Sequence, residues 1–227
     1  MPRDGRRDGG DAPDSRTRPR RRRDRAPGPR PPPSQRKKFK CLVLGLQGAG
    51  KTSFLHKVAR KVVTSTPAPG FEVETVRWKK LSLVSFDIKD AAFYFELWKT
   101  YYEGAWGIVF VVDATDVDRI AEAKEDLGRA LDAEAKEGVR TKFELGRAAL
   151  LVLANKQTLP NALPSQRVAE LLGLDQHTTR EWKCQDCDIL TGDGVFEGLN
   201  WLMKASFDAE ARAKKGLNYS QRVVPSG

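Results

Sequence analysis

Three cysteines, two histidines and two methionines are all that this 227-residue chain contains of those residue types. So few cysteines cannot build the disulfide framework of a small secreted fold, and they fit a reducing, cytoplasmic setting. Cys184-x-x-Cys187 has no second pair, and neither His56 nor His177 stands at finger-like spacing to it. The pair therefore reads as two thiols near a strand rather than as a zinc site. No apolar run approaches the roughly 20 residues that would span a bilayer, and the N-terminal stretch lacks the apolar core of a secretory signal. The chain starts Met1-Pro2 rather than Met-Gly, and its last residues to Gly227 hold no cysteine, so neither N-myristoylation nor prenylation is expected.

Glutamate is absent from the first 40 residues, which carry 12 Arg and 3 Lys against 5 Asp, a net of 15 − 5 = +10. The remaining residues hold 25 basic and 25 acidic side chains, so the whole formal charge of +10 belongs to this arm. Eight of the 13 prolines lie there too, and Ala12 and Ala26 are its only apolar side chains between residues 2 and 38. Such a segment buries too little surface to offset its chain entropy, and a disordered basic arm is expected over residues 1–38. Its densest cluster, Arg20-Arg21-Arg22-Arg23, suits a solvated arm, a nuclear-import signal, or a tether to an acidic lipid surface, a tubulin tail or RNA. No aromatic residue interleaves it, so base stacking is not suggested.

From residue 39 onward, continuous apolar runs alternate with helical patterns. Strands are expected at Phe39–Leu44, Glu72–Lys79, Leu81–Ile88, Gly107–Ala114, Ala148–Ala154 and Trp182–Ile189, the second and third forming a hairpin. Helical spacing marks Lys51–Val63, Ala92–Tyr102, Val117–Glu137, Ser165–Leu172 and Gly194–Lys215. Thr64–Gly70, with two prolines, and Gly138–Arg147 read as loops. Buried strands separated by helices predict an α/β fold: a mostly parallel, six-stranded sheet with helices on both faces, over residues 39–215, followed by a tail at 216–227. Ligands of such sheets sit beyond the carboxyl ends of the strands.

One such end carries Gly45-Leu46-Gln47-Gly48-Ala49-Gly50-Lys51-Thr52, the pattern G-x-x-x-x-G-K-[ST]. Its glycines let backbone N–H groups turn toward phosphate oxygens beside a helix N-terminus. Gly48, Ala49, Gly50, Lys51, Thr52 and Ser53 are thus candidate phosphate contacts, with the Lys51 charge on the phosphates and the Thr52 hydroxyl on Mg²⁺.

Further stretches follow in order: Pro69–Val76, Leu97–Tyr102, Ile108–Asp116, Leu153–Gln157 and Thr191–Gly194, then Glu197–Leu202. Together with the P-loop they resemble the Arf and Arf-like branch of Ras-type small GTPases over about residues 39–207, and Tyr101–Val112 is most similar to its cilium-associated members. The resemblance implies a Ras-like G domain binding GTP or GDP with Mg²⁺. It places Thr52 and Asp87 at the metal, and Asn155, Lys156 and the backbone N–H of Ile189 around the base.

The same resemblance exposes departures. The threonine that ligates Mg²⁺ aligns with Ala68, which offers no oxygen. In the family's Asp-x-Gly-Gly-Gln segment, the glycine that meets the γ-phosphate aligns with Asp90, and the water-positioning glutamine with Ala91. Asn-Lys-x-Asp has become Asn155-Lys156-Gln157-Thr158, so a carboxylate that would accept two guanine N–H groups is a hydroxyl. Charged hydrogen bonds of about 1.5–3 kcal/mol each correspond to a roughly tenfold to several-thousandfold loss of guanine affinity. The base-capping Cys-Ala-Thr or Ser-Ala-x loop aligns with Asp188-Ile189-Leu190, and Gln47 replaces an aspartate in the P-loop.

Phe93, Tyr94, Phe95, Trp98, Tyr101 and Tyr102 lie where the family has its main effector surface, and helical spacing can neither expose nor bury all six. The expectation is an Arf-like GTP-binding protein with weak or absent hydrolysis. It would present that surface to a protein effector or another Arf-like GTPase, in the cytoplasm or in a cilium or flagellum. The alternatives are a nucleotide-free pseudo-GTPase serving as an interaction module and a polyanion-binding protein tethered by its arm.

Overall fold

The computed structural model describes residues 38–59, 64–68, 71–88, 104–132, 148–177 and 180–215, all within the compact unit Lys37–Gly227. The basic arm through residue 37, Asp90 and Ala91, the aromatic segment 92–102, the loop 138–147 and the tail 216–227 lie outside the described residues.

Seven strands form one sheet: β1 (Phe39–Leu44), β2 (Thr64–Ala68), β3 (Phe71–Trp78), β4 (Leu81–Ile88), β5 (Ala105–Asp113), β6 (Ala149–Asn155) and β7 (Trp182–Asp186). Their order is β2-β3-β4-β1-β5-β6-β7. β1 pairs in parallel with β4 and β5, as do β5 with β6 and β6 with β7, whereas β2–β3 and β3–β4 are antiparallel. Among the described residues, the α-helices are α1 (Lys51–Val58), α2 (Ile120–Asp132), α3 (Ser165–Leu172) and α4 (Val195–Lys214). The α/β class with a mostly parallel sheet between helices is therefore the observed one, with one strand more than expected. Thr64–Ala68, read as loop because of its prolines, pairs with β3. It does so at the edge of the sheet, where a proline's missing N–H removes no ladder bond on its open side.

Side chains of a strand point alternately to opposite faces, and this divides the core in two. Leu42, Leu44, Ile108, Phe110, Val112, Leu150 and Val152 face one layer with Ile120 and Leu127 of α2 and Val168 and Leu172 of α3. Cys41, Val43, Val109, Val111, Leu151 and Leu153 face the other, with Phe54 and Leu55 of α1 and Leu199 and Leu202 of α4. Burial on both faces explains why β5, β6 and, after Lys40, β1 are continuous apolar runs rather than alternating ones. Phe110 has no exposed surface, and truncating it to alanine is expected to cost about 3–5 kcal/mol.

The β3–β4 hairpin closes through Lys79 and Lys80, with Lys79 in the left-handed region (φ 49°). Trp78 stacks on Phe196 of α4 at 6.2 Å between ring centroids, and Lys79 Nζ donates to Asn200 Oδ1 at 2.7 Å. Among the described residues, no helix is long and apolar enough to cross a membrane.

Candidate functional site

The parallel strands deliver four segments to one edge of the sheet. Gly45 follows β1, Asp113 ends β5, Asn155 ends β6, and Cys187–Ile189 follow β7. This is the carboxyl edge, where the crevices of open α/β sheets lie.

The P-loop fills the gap between β1 and α1. Gly45 takes φ 134°, and a Cβ there would lie 2.2 Å from the Val111 carbonyl oxygen, so the loop can cross β5 only as glycine. Gly50 takes φ 109°, and its missing Cβ makes room for Asn155 Nδ2, which would lie 2.7 Å away. α1 has no side-chain N-cap and no acidic residue in its first turn. Its leading N–H groups and positive dipole end are thus kept for an anion.

Lys51 Nζ reaches back over the loop and donates to the carbonyls of Gly45 at 2.8 Å and Leu46 at 3.0 Å. Those bonds hold the loop's carbonyls on the lysine side while Gln47 and Gly48 form its exposed tip. Thr52 and Ser53 are exposed on the first turn of α1, and Ala49 is buried beneath the loop. Phosphate and its Mg²⁺ fit this arrangement: a glycine-permitted curl, a cation poised over it, and a hydroxyl at the helix start. Asp87 is the penultimate residue of β4, in register with Glu72, and Ala68 ends β2 opposite Phe71.

Asn155 joins two other expected site residues, Ala49 and Ile189. Its Nδ2 donates to the Ala49 carbonyl at 2.8 Å, and its Oδ1 accepts from the Ile189 N–H at 3.0 Å. A buried carboxamide needs both ends paired. The Ile189 donor expected to face a base is consequently engaged within the protein. Ile189 itself lies in the turn after β7, which ends at Asp186 rather than at Ile189.

Lys156 takes a left-handed φ of 71°, a conformation costing about 1 kcal/mol for a side chain with a Cβ. Its ammonium forms an ion pair with Asp113, which offsets that cost. Burial pushes the Asp113 carboxyl up, but bonds from Lys156 and from the N–H and hydroxyl of Thr115 outweigh it and hold it below the usual carboxylate range. On the far side, the Thr158 hydroxyl bonds Asp188. That bond, against opposition from burial and with help from the N–H groups of Thr191 and Leu190, holds the Asp188 carboxyl low as well.

Sequence reasoning assigned no site role to Asp113, Asp188 or Arg119. Arg119, just ahead of α2, donates from Nη1 to the Gln47 carbonyl at 3.3 Å while Nε bonds Asp116 at 2.7 Å. It braces the outer side of the P-loop. Only the topology could have found the long-range contacts Arg119–Gln47, Asp113–Lys156 and Asp188–Thr158, because their partners follow different strands. Among the described residues, no group of three or more His, Cys, Asp or Glu is gathered for a metal.

A sheet of this order, with a glycine loop, a returning lysine and an asparagine bracing the loop at its carboxyl edge, defines a P-loop nucleotide-binding protein of the Ras-like type. The chain belongs to the ADP-ribosylation factor (Arf) family, whose sequence profile it matches over residues 32–206. It is accordingly a small GTP-binding switch protein by family.

Proposed function

We propose that this protein is an Arf-type switch or adaptor that binds guanine nucleotide with Mg²⁺ and hydrolyses GTP weakly or not at all. The observation that carries the binding half is Lys51, fixed over the loop by the Gly45 and Leu46 carbonyls. The amides of Gly48, Ala49 and Gly50, with Lys51, Thr52 and Ser53, would hold the phosphates. Thr52 and Asp87 would hold Mg²⁺, whose charge neutralises the phosphate oxygens. Asn155 and Lys156 would flank the base.

The hydrolysis half rests on residue chemistry. At the positions that the family resemblance aligns with the switch residues, Ala68 would supply no metal ligand, Asp90 would bring a like charge to the γ-phosphate, and Ala91 could not orient water. Output would then come from a switch-region surface offered to an effector or another Arf-like GTPase, in the cytoplasm or a cilium. The arm of residues 1–38 would add a cationic tether to an acidic surface.

Denaturing the purified full chain and identifying the released nucleotide by chromatography tests the first half; single-turnover phosphate release tests the second. Stoichiometric GDP or GTP with no release above a buffer control is the expected result. Brisk single-turnover release would refute impaired hydrolysis. An empty pocket with no thermal shift on adding Mg-GTP would refute the switch and favour a nucleotide-free interaction module. Removing residues 1–38 is expected to abolish salt-sensitive binding to anionic vesicles.

A further inference from the structure

The turn after β6 and the turn after β7 are joined by a hydrogen bond from the Thr158 hydroxyl to Asp188 Oδ2. Asp188 Oδ1 accepts from the N–H groups of Leu190 at 2.9 Å and Thr191 at 3.2 Å. A carboxylate offers about four lone-pair sites, and three of these are taken by its own two loops. Asp188 is only 4% exposed, so its charge faces the protein. Its loop is fixed further by the Gly192 N–H on the Asp188 carbonyl at 2.7 Å and by Lys57 Nζ on the Leu190 carbonyl at 2.6 Å.

The direction of the Thr158 bond matters. A hydroxyl has one proton and two lone pairs. With the proton committed to Asp188, Thr158 presents acceptor lone pairs alone, on a single atom. Guanine carries two adjacent donors, the ring N1–H and the 2-amino group, whereas hypoxanthine carries only the first. Adenine has no proton on N1, so an acceptor at residue 158 would oppose it.

We infer that Thr158, oriented by Asp188, reads the base as a lone acceptor, so the site takes 6-oxopurine nucleotides without distinguishing guanine from hypoxanthine. This rests on the nucleotide-binding reading above. Asp188 acts here as a positioning residue: it fixes the hydroxyl proton, and at 4% exposure it leaves a ligand little carboxylate surface to reach. The 2-amino group then has at most a share of one neutral oxygen already engaged by N1–H, and gains little, because the carboxylate that would reward it is turned into the protein.

Titration calorimetry of the full chain with Mg²⁺ and GDP, IDP or ADP decides it. GDP and IDP are expected to bind within about threefold of each other, and ADP at least about tenfold more weakly. A GDP preference over IDP larger than that, or ADP binding as well as GDP, would overturn the inference alone. Binding of none of the three would overturn it together with the reading it rests on. The exchange variant T158D/D188S moves the carboxylate to residue 158 and should create a GDP preference of about tenfold or more. An unchanged ratio in a folded exchange variant also sinks the idea, and the parent chain decides the matter if that variant does not fold.

Discussion

Asn155 and Ala49, 106 residues apart in the chain, are joined by a 2.8 Å hydrogen bond from the asparagine side chain to the P-loop carbonyl. With the Ile189 N–H on its other end, this one buried carboxamide links the ends of β1, β6 and β7. Asn155→Ala removes a partner from a donor and an acceptor at once, each costing about 1–3 kcal/mol when left unpaired in the interior. A loss of roughly 2–4 kcal/mol is expected in urea denaturation. A midpoint like that of the parent would show that the contact does not brace the loop.

Two of the P-loop glycines, Gly45 and Gly48, should separate cleanly. Gly45→Ala sets a Cβ 2.2 Å from a backbone oxygen at φ 134°, and backbone cannot swing aside. A cost of roughly 3–5 kcal/mol is expected from overlap and backbone strain together. Gly48 (φ 83°) meets nothing nearer than Arg119 Nη2 at 4.0 Å, so Gly48→Ala should cost only about 1 kcal/mol. Equal melting temperatures for the two variants would contradict the geometry.

Acid should loosen the site by way of Asp113 and Asp188. Both carboxyls are held below their ordinary range in the folded protein. A depressed folded pKa gives stability that is present above the unfolded value of about 3.9 and lost as pH falls through the folded one. Comparing urea midpoints at neutral pH and below about pH 4, the parent should lose more stability than Asp188→Asn. An identical acid loss in the two proteins would remove Asp188 from the account.

The thiols should be silent. Burial, reinforced at Cys184 and Cys187 by neighbouring acidic groups, pushes Cys41, Cys184 and Cys187 up to about 12. Since the thiolate is the reactive form, iodoacetamide at neutral pH should label none of the three quickly in the native protein and all three in denaturant. Rapid native labelling of Cys41 or Cys187, both buried, would refute the packing on that face.

Local pattern was enough to place Phe39–Leu44, Leu81–Ile88 and Ser165–Leu172 at their observed bounds. It failed at Thr64–Ala68, where Pro67 signals a loop but an edge position tolerates it. It ran β7 too far because Cys187 and Ile189 are buried in a turn, and burial alone looks like strand. The P-loop was legible because its spacing encodes its own geometry. The Asp113–Lys156 and Thr158–Asp188 pairs were not, since nothing in the sequence states which strand ends become neighbours.

Because the segments that meet at the carboxyl edge come from nearly the whole length of the domain, occupancy there is thermodynamically a report on the entire sheet. A ligand held at a hundred times its dissociation constant would add about 2.7 kcal/mol to global unfolding. Such a ligand would serve as a folding cofactor for strands it never touches, and a drop in its cellular level would be felt first as loss of the protein itself.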